Sequence, residues 1–146
     1  MNYTQSTVVS LISHLHAITA DFTNAKLAKK NLVSSHGFIL YLLSVNKKMT
    51  KTEIAEATNR DKSTTTVLTR KLIEEGLVKE EASPTDGRTR LISLTTKGKS
   101  LNKLTSSISE DLLKVCYKGF SATEKKQLLE LLLKMNSNVE NELKKD

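Results

Sequence analysis

The chain has 146 residues and a formal charge of +7, long enough for one domain, or one with an appendage, and basic enough to favour a polyanionic partner. Its single cysteine, Cys116, excludes a disulfide framework and a cysteine-rich zinc site. No apolar run reaches the roughly 18–20 residues that cross a bilayer, and the opening MNYTQSTVVS lacks a basic start and an apolar stretch, so a cytoplasmic protein with no membrane partner is expected.

The charge is unevenly spread. Residues 46–100 hold 12 Lys/Arg against 8 Asp/Glu, whereas residues 1–45 hold 3 against 1 and residues 101–146 hold 8 against 7. The middle of the chain is where a nucleic-acid surface is expected.

From Val8 the apolar residues Val8, Leu11, Leu15, Ile18 and Phe22 recur at steps of three and four, the period of one helix face. Ser34 is placed to cap a second helix whose face takes in Phe38, Leu42 and Val45. Thr50 and Glu53 form a capping box that opens a short helix carrying Ile54, Ala55 and Ala57, and Asn59 has the side chain to end it in a left-handed turn. Asp61 caps the next helix, which runs to about Glu75 before a C-terminal glycine, Gly76.

That fourth helix has an inward face of Leu68 and Leu72 with Thr65 and Thr69, and an unusual outward one. Five of the seven residues from Ser63 to Thr69 are serine or threonine, mediocre helix formers that a purely structural helix has no reason to use. Short hydroxyls let a helix approach phosphates and base edges, and threonine methyls can touch a thymine methyl. Candidate DNA contacts are therefore Lys62, Ser63, Thr64, Thr66 and Arg70. The bland alternative is a helix whose hydroxyls bond its own backbone.

Two runs of apolar and branched residues, Leu77–Glu80 and Leu91–Leu94, read as strands joined through Pro84 and the turn dipeptide Asp86-Gly87. Arg88 and Arg90 sit at or just past the tip, where an arginine can enter the minor groove beside a reading helix. Asp86 repels phosphate, so we assign it to the turn, paired with Arg88, and Arg90 to the groove.

Beyond the hairpin, Leu101, Leu104, Ile108, Leu112 and Val115 form another stripe, which Gly119 closes. Ser121 and Glu124 make a capping box for a last helix with Leu128, Leu132, Met135, Val139 and Leu143 on one face. Each terminal stripe has two homes, the chain's own core or a second copy. Because they flank a middle that can build its own core, they are read together as a dimerisation region, with Val8, Leu11, Leu15, Leu132, Met135 and Val139 as contacts.

These residues carry a resemblance. The chain is similar, over nearly its whole length, to MarR-family transcriptional regulators. The family's wing signature, D-x-R followed by five residues and then L-T, is met by Asp86, Arg88, Leu94 and Thr95, with Lys97-Gly98 after it, and Leu72 to Val78 matches the run from reading helix into wing. The resemblance implies a homodimer with intertwined terminal helices. It implies Lys62 near phosphate and Ser63, Thr64 and Thr66 nearest the bases. Gly87 stands where a basic residue is common and Val67 where arginine often occurs. It also implies a small aromatic or phenolic effector, bound between the dimer helices and the DNA-binding lobe, near His36, Tyr41 and the first helix.

The expected architecture is mainly α with a small antiparallel β-hairpin wing: a winged helix-turn-helix over residues 34–98, between a dimerisation helix in 1–33 and dimerisation helices in 99–146. The expected function is a sequence-specific regulator, a repressor, that binds palindromic double-stranded DNA as a homodimer. The alternative is a winged-helix module that binds protein. That needs an apolar patch on the reading helix, and Ser63 to Thr66 offer none.

No nucleophile–base pair, phosphate-cradling loop or catalytic carboxylate pair points to an enzyme. No cofactor and no metal site is expected, because His14 and His16 are two apart on a helix and point in different directions. Cys116 sits in an apolar stripe and reads as a buried structural thiol.

Overall fold

The computed structural model describes residues 7–145. Among them the elements run α1 (Thr7–Leu27), α2 (Ser34–Asn46), β1 (Lys48–Met49), α3 (Lys51–Thr58), α4 (Lys62–Glu74), β2 (Val78–Ala82), β3 (Arg90–Leu94), α5 (Thr96–Cys116) and α6 (Ala122–Leu143), with a single 3-10 turn at Ala28–Lys30. This is the expected mainly helical fold with a small antiparallel wing.

The helix ends follow from their capping residues. At Thr50 the backbone N–H donates to Glu53 Oε2 (2.7 Å) and the hydroxyl accepts from Glu53 N–H (3.2 Å), a reciprocal box that starts α3. Asn59 ends it at φ 51°, ψ 47°. Helix α4 closes in a Schellman motif: Gly76, at φ 69°, donates to Ile73 O (2.9 Å) and Leu77 N–H donates to Leu72 O (2.9 Å). The buried pair Leu72 and Leu77 supplies the hydrophobic contact that accompanies that motif.

The described residues up to Leu112 form one compact unit and those from Leu113 a second. Helix α5 runs unbroken from Thr96 to Cys116. The core of the first unit gathers Leu27 and Leu32, then Ile39, Leu40 and Leu43 of α2, Ile54 of α3, Leu72 of α4, and Ile92 of the sheet. Burying a side chain of this size contributes about 1.5–3 kcal/mol, so α2, which gives three fully buried residues, is the central post of the unit.

The side of α2 that does this is not the one expected. His36, Ile39, Leu40 and Leu43 face inward, while Phe38 and Val45 are exposed and Leu42 is half-buried. Seven apolar residues crowd into Phe38 to Val45, so spacing alone cannot choose a face. Ser34 is not the cap either; Val33 holds that position, and its N–H donates to His36 Nδ1 (3.1 Å).

The sheet has the order β1-β3-β2, all antiparallel, so the wing is a hairpin with a third strand rather than a hairpin alone. Two residues suffice for β1, through Lys48 opposite Ser93 and Met49 opposite Ile92. In the second unit, α6 is capped by Ser121 and Glu124 as expected (2.7 and 3.2 Å). No residue of α6 is buried. Cys116 is half-buried rather than buried.

Candidate nucleic-acid interface

Helix α4 divides its hydroxyls between two jobs. Thr65 and Thr69 are fully buried, and their hydroxyls donate to Asp61 O (2.9 Å) and Thr65 O (2.9 Å). For those two the self-bonded reading holds. Lys62, Ser63, Val67 and Arg70 are exposed and Thr64 and Thr66 half-buried, so the outward surface is Ser63, Thr66, Val67 and Arg70 at helical spacing. Val67, 63% exposed, belongs to this surface and was absent from the candidate contacts; its place in the 63-66-67-70 spacing was the signal.

The start of α4 is organised by Asp61. Its carboxylate accepts from Thr64 N–H (2.7 Å), the Ser63 hydroxyl (2.8 Å) and the Thr64 hydroxyl (3.1 Å). These bonds, the Thr64 N–H first, hold its pKa below the ordinary carboxylate value. Two consequences follow. Ser63 and Thr64 turn their lone pairs outward and so present acceptors, whereas the Thr66 hydroxyl has no such tie among the described residues. A fixed negative charge at the helix N-terminus also offsets the dipole that would attract an anion there, so the positive charge on this face is that of the exposed Lys62 and Arg70.

The wing tip is a seven-residue loop, 83–89, closed by Ser83 N–H to Thr89 O (2.8 Å) and Thr89 N–H to Asp86 O (3.0 Å). Asp86 builds this turn, but not through an ion pair. Its carboxylate accepts from the Arg88 backbone N–H (3.0 Å) and the Thr89 hydroxyl (2.7 Å), and these bonds lower its pKa, the Thr89 bond most. The expected Asp86–Arg88 side-chain pair is therefore corrected: the turn uses the Arg88 backbone and leaves its guanidinium free of any carboxylate among the described residues. Arg90, expected to be the unencumbered one, lies with Nε 3.9 Å from Glu80 Oε1, and Lys51 approaches the same oxygen (3.6 Å).

The wing root is braced to α5 and to the end of α4. Thr95 donates its hydroxyl to Gly76 O (2.6 Å) and accepts from Gly98 N–H (3.1 Å), and Lys97 Nζ donates to Glu75 O (2.7 Å). Gly98 packs so close that a Cβ there would lie 1.9 Å from Leu77 O. The L-T-x-x-G end of the wing signature is thus the joint that orients α4 and the hairpin together.

A crevice of about 270 Å³ runs between α1, α2 and the turn from α3 into α4, with His16, Phe38, Arg60 and Leu68 in its wall. His36 and Tyr41 do not line it. His36 is 8% exposed and caps α2, and burial, then the Lys71 charge, keeps its pKa below the ordinary 6.5. Tyr41 is 51% exposed and stacks against Phe38 with ring centroids 6.3 Å apart. Of the expected dimerisation contacts, Val8, Leu11, Leu15, Met135 and Val139 are exposed and Leu132 half-buried. Among the described residues no His/Cys/Asp/Glu group is arranged to hold a metal, and no helix is long and apolar enough to cross a membrane.

Residues 32–89 match the family model described as MarR family. No curated protein matches the chain. A MarR protein from Peptoclostridium difficile is 25% identical with a TM-score of 0.88, over 97% of this chain and 93% of that one. The S. aureus MepR–DNA complex is 26% identical with a TM-score of 0.80, over 93% of this chain and 96% of that one. The transcriptional regulator SlyA shares the fold at 21% identity and a TM-score of 0.86, over 92% and 95%. Residues 32–89 are thus a MarR-family domain, in a chain built on the winged-helix fold of the MarR-family regulators.

Proposed function

We propose that this chain is a sequence-specific double-stranded DNA-binding transcriptional repressor that works as a homodimer on palindromic sites. One observation carries the reading: the surface of Ser63, Thr66, Val67 and Arg70 stands open on a capped helix, beside a wing whose tip arginine, Arg88, has no ion-pair partner among the described residues. That surface mixes hydroxyl, methyl and guanidinium groups, the chemistry that reads base edges and thymine methyls in a major groove. Arg88 is the better placed of the two wing arginines for the minor groove, because Glu80 stands beside Arg90. MepR, a similar chain, is solved as a DNA complex.

Dimerisation is supported by the apolar faces left open on α1 and α6. Val8, Leu11, Leu15 and Ile18 on α1, and Leu129, Leu131 and Val139 on α6, are exposed, and a second copy is the surface that covers both in a symmetric pair. A dimer places two reading helices about one DNA turn, roughly 34 Å, apart. For the effector, the crevice of His16, Phe38 and Arg60 offers an aromatic wall beside a cation, which suits a small aromatic carboxylate or phenol.

Selection from a pool of random duplexes with the purified chain tests this function. The expected product is an inverted repeat, and raising salt from 50 to 200 mM should weaken its binding about a thousandfold. A pool that fails to enrich, with weak binding indifferent to salt, would leave the protein-interaction alternative standing.

A further inference from the structure

Register in the sheet sets Lys48 and Lys79 on either side of Ser93. Against them opens a cavity of about 490 Å³ walled by Lys47, Lys48, Lys79, Lys99 and Lys103 together with Asn102. No carboxylate lines it. Five cations share one concave space, and the neutralisation available nearby is small. Glu81 reaches Lys48 (3.5 Å) and Lys79 (2.6 Å), and Lys47 donates to Ser44 O (3.3 Å). Lys99 and Lys103 have no ion-pair partner among the described residues, and Lys47 meets only a neutral carbonyl, so a single carboxylate stands against the five cations.

A second observation falls in the same place. The buried Oδ1 of Asn102, a residue that lines this cavity, has no hydrogen-bond partner among the described residues. A buried amide oxygen left unmet is costly, and native structures seldom keep one unless something donates to it. Leu43 and Leu94 give the cavity an apolar floor, so it combines clustered charge, one directional polar atom and apolar surface in a volume of ligand size.

We propose that this cavity binds a small phosphorylated molecule that also carries a hydroxyl or amine. Lys99 and Lys103 take the phosphates, with Lys47, Lys48 and Lys79 adding field, and the Asn102 amide, on turning its buried Oδ1 into the cavity, accepts the donor group. Lysine suits the task as a mobile point charge. A duplex backbone is convex and passes over such a basin without reaching a buried amide, which is why a small molecule fits better than DNA. An occupant would tie the wing strand β2 to α5 and to the corner between α2 and β1. Its influence on DNA binding rests on the function proposed above; the binding itself does not.

Calorimetric titration of the full chain with adenosine 5′-triphosphate and with inorganic tripolyphosphate, both without magnesium, tests the site. Saturable binding of both probes, one per chain, is expected. Lys99→Gln with Lys103→Gln should weaken both about tenfold, while Lys99→Arg with Lys103→Arg retains them and excludes misfolding as the cause. Asn102→Leu should weaken the nucleotide more than tripolyphosphate. Lys126→Gln with Lys134→Gln on α6 should change neither. Absence of saturable binding, or an equal loss in the α6 pair, overturns the proposal. So does a result in which neither probe binds and the Lys99/Lys103 pair affects only duplex affinity, since the lysines would then serve the DNA backbone.

Discussion

Arg88 and Arg90 lie two residues apart in the wing, yet their surroundings differ. Arg90 has Glu80 3.9 Å from its Nε, whereas Arg88 stands on a loop that Asp86 fixes through backbone and hydroxyl bonds. Arg88→Ala is expected to cost about 1–2 kcal/mol of duplex affinity, with a smaller loss for Arg90→Ala; binding measured on one selected site at fixed salt separates them. The opposite order would return the groove to Arg90. Burial and Lys71 lower the folded pKa of His36 below 6.5, so the unfolded chain binds the proton more readily. Stability from this site is therefore complete above pH 6.5 and declines as pH falls below it, until the folded imidazole also protonates. His36→Asn keeps an acceptor for Val33 N–H and should flatten the fall in melting temperature between pH 7.5 and 5.5.

Among the elements, those with local instructions were legible. The box at Thr50 and Glu53, the left-handed Asn59, the Asp61 cap, the Gly76 stop and the box at Ser121 and Glu124 all act through bonds within a few residues. Elements that depend on distant partners were not. The strand β1 is two residues long and exists because Ser93 and Ile92 lie opposite. The inward side of α2 is chosen by what packs on it, since its sequence is apolar nearly all round. Gly98 illustrates the same dependence, because a methyl there would lie 1.9 Å from the backbone carbonyl oxygen of Leu77. Gly98→Ala should destabilise by about 2–3 kcal/mol, visible as a lower denaturant midpoint, although alanine ordinarily favours a helix over glycine. A neutral or stabilising result would mean that the joint between α5 and the wing root is looser than the close approach implies.

At the scale of the molecule, the open question in the sequence was where the terminal stripes go. In α1 the stripe of Val8, Leu11, Leu15 and Ile18 remains open, and Val139 on α6 is 61% exposed. Sedimentation at micromolar concentration is expected to give twice the chain mass. Leu15→Asp should weaken that association by about 2 kcal/mol per chain or more while leaving the core, which does not contain Leu15, intact. A wild-type monomer would discard the dimer, and with it the palindromic site.

By itself the sequence determined the helical periods, the caps, the turn chemistry and the hydroxyl-rich reading helix, because each is written in residues a few positions apart. Only the tertiary structure decided which hydroxyls of α4 are buried and which face outward, which wing arginine has no carboxylate beside it among the described residues, which side of α2 is core and how lysines from three separate segments gather beside Asn102. Those outcomes depend on neighbours that spacing along the chain does not specify, since a side chain's bonding is settled by whatever the fold brings against it.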